Sequence, residues 1–164
     1  MDVLVNTALW LTIMPVATFI HEAGHVVMTR VLHGDKGWSI HLGSGKVIFN
    51  SERLKIRTLF FWGGLARFTK TVDARWRKIM RSAGGSLANL LCIGGLLLLS
   101  LLTRMDYTVE SETTDLLNRI ANIFLIANIA NAVIPLIPVT YRSGIFVGLD
   151  SDGLSIIRYI RGEK

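Results

Sequence analysis

Apolar positions in this chain come in long blocks, not at the spacing of a surface helix. Residues 3–20 carry no charged side chain, and the apolar character runs on to residue 32, interrupted only by H-E-A-G-H at 21–25 and by Arg30. Residues 83–102 (AGGSLANLLCIGGLLLLSLL) and 120–139 (IANIFLIANIANAVIPLIPV) are two further runs of 20 positions without a charge. At 1.5 Å per residue, such a run matches a hydrocarbon core of about 30 Å. The pattern therefore predicts three membrane spans, at about 3–32, 83–102 and 117–139.

Between the first two spans the period changes. Trp38-Ser39-Ile40-His41-Leu42 alternates, Gly43-Ser44-Gly45 reads as a turn, and Lys46-Val47-Ile48-Phe49 continues. Asn50-Ser51 reads as a second turn before the run from Leu54 to Phe61. Three short strands in a meander over about 37–62, ending at Gly63-Gly64, are expected. Their aromatic residues suit a sheet lying at the membrane interface, where an edge facing a reactive centre would pair with an extended peptide. Residues 67–81 hold six basic residues with Val72, Trp76, Ile79 and Met80 between them, the composition of an interfacial helix. The fold class expected is an all-α integral membrane protein of three core helices, with a small membrane-associated β meander between the first and second. At 164 residues it is read as a single domain, 1–164.

Charge distribution changes what the net +6 means. Residues 34–81 contain 11 Lys and Arg against three acidic residues, whereas residues 104–115 contain Arg104 against Asp106, Glu110, Glu112 and Asp115. The tail, with Arg142, Arg158, Arg161 and Lys164, is mildly basic. The positive-inside rule then places 34–81 and the C-terminus in the cytoplasm and the N-terminus outside, and three spans require that arrangement. The basic excess reads as topology and contact with the lipid bilayer, not as a nucleic-acid surface. With no basic region before the first apolar run, a cleaved leader is not expected. Cys92, the lone cysteine, lies mid-span and reads as a small buried hydrophobe.

The chemistry centres on the polar cluster in the first span. His21 and His25 are four apart, so a helix projects both from one face toward a single metal ion. Glu22, beside them, is placed to handle a proton on metal-bound water. A catalytic zinc needs a third protein ligand. His33 and His41 lie in the loop and sheet regions; Asp152, in Ser151-Asp152-Gly153 just past the third span, is the better candidate, with Asp150 competing. Pro135 and Pro138 break the third span, and residues 144–149 are apolar enough to bring that carboxylate back toward bilayer depth, where it needs a partner or a metal. Asn89, Asn128 and Asn131 lie within the spans. They read either as interhelical hydrogen-bonding groups or as groups that orient a substrate or stabilise an oxyanion.

These elements together, H-E-x-x-H at the end of a first core span, A-G-G-S-x-x-N opening the second, and an Asn-Pro then Asp-Gly element at the third, resemble the site-2 protease family of intramembrane zinc metalloproteases. The resemblance covers nearly the whole chain. It implies zinc held by His21, His25 and Asp152, Glu22 as general base, and Asn131 (or Asn128) and Asn89 as auxiliary catalytic groups. It further implies a transmembrane or membrane-associated peptide as substrate; small size and topology point to the plasma membrane of a bacterium as location. The Asn131–Pro135 and Pro138–Asp152 spacings are wider than the family's usual ones, and there is no room for a PDZ-type insert. Two other functions fit the same residues less closely: a catalytically inactive peptide binder, for which Glu22 has no use, and a metal-handling membrane protein, which calls for more ionisable groups along the spans.

Overall fold

A computed structural model describes residues 2–70, 74–103, 115–142 and 146–163. The order is α1 (Asp2–His33), β1 (Ser39–Asn50), β2 (Leu54–Arg67), α2 (Arg75–Thr103), α3 (Asp115–Val133), a 3₁₀ turn (Ile134–Leu136) and α4 (Asp152–Arg161). Three helical segments, Val3–His33, Arg75–Leu102 and Leu116–Leu136, are long and apolar enough to cross a membrane. Only 17–22% of each apolar window is buried inside the protein, so large hydrophobic faces such as Leu90, Leu91, Leu101 and Leu102 point outward. Lipid is the solvent that leaves such faces without a hydrophobic penalty. The acidic stretch 104–114 lies outside the described residues.

The helices meet through small side chains. Ile13 and Ala17 of α1 pack against Ile123 and Ala127 of α3. On the other side, Gly24 of α1 lies directly on Gly84 of α2: a Cβ built on Gly84 would come within 2.7 Å of the Gly24 carbonyl oxygen. No other residue permits that approach, which is how small residues serve packing between membrane helices.

The sheet departs from a three-strand meander. It consists of two long antiparallel strands whose register slips repeatedly. Gly43 and Gly45, expected to form a turn, have φ of 76° and 89° and instead bend β1 without ending it. As a result residues 40–42 pair on one side with Leu54, Lys55 and Ile56 and on the other with Ala66, Leu65 and Gly64. Nor does the sheet stop at Gly63-Gly64. Strand β2 continues to Arg67, because these glycines let the backbone run close against α1. Ile40 and Leu42 bury against Val26, which fixes the sheet to the His-bearing half of α1.

Two further boundaries differ from expectation. The basic segment is helical only from Arg75, where α2 begins and runs unbroken into the second span, while residues 71–73 lie outside the described ones. The third span ends at Leu136, not at 139, because Pro135 tightens the helix into a 3₁₀ turn and Ile137 is extended. Pro15, by contrast, sits within α1 without ending it.

Asp35 ties the sheet to the start of α2. Its carboxylate is 1% exposed and accepts from Gly37 N (2.8 Å), Thr69 N (3.0 Å), Thr69 Oγ1 (2.8 Å) and Lys70 N (3.0 Å). Burial would raise this carboxyl, but the Lys70 and Gly37 amides and the Thr69 groups outweigh it and hold it at about 2. A depressed folded-state pKa contributes stability that is present above the unfolded value of 3.8 and is lost as pH falls through about 2. The protection factors of the Thr69 and Lys70 amides should therefore fall between those two pH values. In Asp35→Asn that pH-dependent segment should vanish; an unchanged profile in the variant would refute the assignment.

Candidate metal centre

His21 and His25 sit one above the other on α1, with ring centroids 4.8 Å apart. Asp152 arrives from 131 positions later in the chain by a local construction the sequence shows in part. After the proline break the chain doubles back: Ser151 N donates to Val139 O, Tyr141 N to Leu149 O, and Gly148 N to Tyr141 O. Ser151 locks both ends of this hairpin. Its hydroxyl donates to Ile137 O (2.7 Å) and accepts from Val139 N (3.1 Å), while also capping α4 through Leu154 N (3.2 Å). Asp152 is the first residue of α4, and Gly153 lets that turn lie on the Leu136 backbone, where any Cβ would collide.

The three side chains converge. Asp152 Oδ2 lies 3.1 Å from His21 Nε2 and 3.3 Å from His25 Nε2, and one ligand atom from each lies within 4.8 Å of the others. Two ligands at 2.0–2.1 Å from a tetrahedral zinc stand roughly 3.3 Å apart, so the spacing suits that ion. Protonation chemistry points the same way. The Asn89 amide donates from Nδ2 to Ala17 O (3.1 Å) and Asn128 Oδ1 (2.8 Å), which turns its Oδ1 toward His21 Nδ1 at 2.9 Å. His25 Nδ1 faces the Arg81 carbonyl oxygen at 2.7 Å. Both Nδ1 atoms must then carry the proton, leaving two Nε2 lone pairs and a carboxylate aimed at one point. Such a set suits a bound cation. The residues present fit zinc.

Glu22 lies against the sheet. Its Oε2 accepts the Ala66 amide at 2.6 Å, and Gly64 leaves room for its stem, since a Cβ there would fall 2.7 Å from Glu22 Cγ. Because Ala66 spends its N–H on Glu22, the unpaired edge of β2 is the one that faces the centre. Gly85 serves His21 in the same way: a Cβ would lie within 2.6 Å of three imidazole ring atoms. The two glycines of A-G-G-S thus have separate tasks, Gly84 admitting α1 and Gly85 admitting the His21 ring.

The other expected residues separate by position. Asn131 lines the cavity beside the centre, its Oδ1 3.3 Å from the Thr18 hydroxyl and its Nδ2 donating to Ala127 O. Asn89 is fully buried behind His21 and Asn128 is fully buried behind Asn89; neither lines the cavity. Asn89 therefore positions His21 and does not reach into the space a ligand would fill. Asp150 is drawn away from the cluster by Arg158 (2.6 Å) and Thr140 (3.1 Å). His33 ends α1, and His41 is buried in β1 near Ser39, where burial and then Arg67, Lys55 and Arg57 lower its pKa; neither joins the cluster.

A cavity of about 1240 Å³ opens over the centre, lined by Gly63–Ala66 of β2 and by Tyr141, Phe146 and residues 149–152 of the hairpin. Thr18 and Tyr141 line it and were not anticipated. Burial first, then the charges of Asp152 and Glu22, raise the Tyr141 pKa, so its phenol stays a hydrogen-bond donor. Nothing in the T-Y-R tripeptide announces this role; only the hairpin brings it to the cavity.

No family model matches the chain, and no solved structure does. The uncharacterized membrane protein YwmF of Bacillus subtilis is 33% identical over 88 residues, which make up 52% of this chain and 54% of the relative. The match thus spans about half the length of either protein. This is a mostly helical chain with three candidate membrane-spanning helices and a small two-stranded sheet, similar over that half to a bacterial membrane protein.

Proposed function

We propose that this protein is an intramembrane zinc metalloprotease that hydrolyses peptide bonds of membrane-embedded substrates. One observation carries the reading: three ligand atoms with converging lone pairs stand beside Glu22 and an unpaired strand edge, on helices apolar enough to span a bilayer. His21, His25 and Asp152 hold the metal. Bound there, zinc would supply an acidified water and would polarise the scissile carbonyl. Glu22, fixed through Oε2 by Ala66, keeps its other oxygen for taking a proton from that water and passing it to the leaving amine. Asn131 and the Tyr141 phenol face the same space and orient the peptide carbonyl. An extended substrate segment lies along the β2 edge, since a helical one has its carbonyls occupied. The orientation we adopt places the N-terminus outside a bacterial plasma membrane and the C-terminus in the cytoplasm, with residues 34–70 on the cytoplasmic side.

The test is cleavage of a reporter bearing one transmembrane helix, co-reconstituted with the protein in liposomes. Cleavage should cease after treatment with a strong chelator and return on adding zinc but not magnesium. Cleavage that persists in metal-free protein would overturn the proposal.

A further inference from the structure

The cavity has a second chemical feature, away from the metal ligands. Lys70, Lys78 and Arg81 line it, on the side where the N-terminal turns of α2 meet α4. Three described carboxylates also line it, and each is committed: Glu22 to Ala66 N, Asp150 to Arg158 and Asp152 to the histidines. None of the three cations is in an ion pair with a described carboxylate. Lys78 Nζ lies 5.6 Å from the Tyr159 ring centroid, and the Arg81 guanidinium carbon lies 5.5 Å from that of Phe68. Aromatic faces hold these heads at the wall without neutralising them.

The geometry points to a carboxylate-binding subsite: Lys78 and Arg81, helped by Lys70, take an acidic side chain of the peptide substrate. This rests on the protease reading for what fills the cavity. The helix sets its distance from the reacting centre. Arg81 and Lys78 precede Gly85, which touches the His21 ring, by four and seven residues, or about 6 and 10 Å along the axis. An extended peptide covers those distances in about two and three residues. Substrates therefore carry Asp or Glu two to three positions from the scissile bond. A lipid phosphate offers similar charge, but these cations line the same cavity as Glu22, where the occupant is the chain being cut.

Binding of a short fluorescent peptide with one central glutamate, and of its glutamine twin, is measured by anisotropy on the full chain in phosphatidylcholine nanodiscs. The glutamate peptide should bind about tenfold more tightly, a preference that falls to near unity in Lys78→Gln/Arg81→Gln. Lys78→Glu should invert the preference toward a lysine twin, which a merely unfolded variant does not do. Equal binding of the first pair, or a preference surviving in the double variant, would refute the subsite. So would loss of the preference in phosphatidylglycerol nanodiscs, which assigns the cations to headgroups. Cleavage of the same twins reports separately on the protease: peptides discriminated but never cut keep the subsite and remove the activity.

Discussion

Glu22→Gln should lose cleavage by about 10²–10⁴-fold while binding as much zinc as the wild type. The substitution is nearly isosteric, and the amide oxygen of Gln still accepts the Ala66 N–H, so the strand stays where it is. What disappears is the carboxylate that the proposed reaction uses to take a proton and return it. A loss of that size corresponds to about 3–5 kcal/mol of barrier. Zinc per chain by elemental analysis, set beside reporter cleavage, separates the two roles. Activity retained at full zinc content would exclude Glu22 as the base. Activity and zinc lost together would make it a structural support for the ligands.

Asp152→Ala should reduce zinc from about one per chain to a small fraction of that after dialysis. Outer-shell partners of metal ligands typically contribute 10–100-fold in affinity, and removing a ligand itself exceeds that. The cap of α4 belongs to Ser151, so the helix survives the change and circular dichroism should be unaltered. Asp150→Ala is the matched control. Its carboxylate is engaged by Arg158 and Thr140, and its removal should leave the zinc content intact. The reverse result, with Asp150→Ala losing metal and Asp152→Ala keeping it, would reassign the third ligand.

How far the site can be read from sequence depends on whether its parts are local. His21 and His25 are legible because helical periodicity alone puts them on one face, and Glu22 because it lies beside them in sequence. Asp152 is legible as a candidate, since a buried carboxylate after a proline break needs a partner, but choosing it over Asp150 requires the Ser151 clamp and the Arg158 ion pair. Asn89 and Asn131 look alike as asparagines in apolar helices. Only packing shows that one backs the His21 ring while the other faces the cavity. In the sheet, glycine does not act as punctuation. Gly43 and Gly45 bend a strand that continues, and Gly64 marks a close approach to Glu22 and Thr18. Tyr141, Lys78 and Arg81 belong to one wall solely through long-range convergence, which no local pattern encodes.

The backbone contact between Gly24 and Gly84 limits how a guest reaches the centre. With the Gly24 carbonyl against Gly84 and only the Met28 and Ala88 side chains beside them, α1 and α2 form a seam with little room to rearrange. Sliding one helix along the other would drag His21 across Gly85 and pull the Arg81 carbonyl from His25. That flank is a fixed jamb. The opposite wall is built differently: there Gly63 of β2 meets the Phe146 ring, a side chain that a change of rotamer could move.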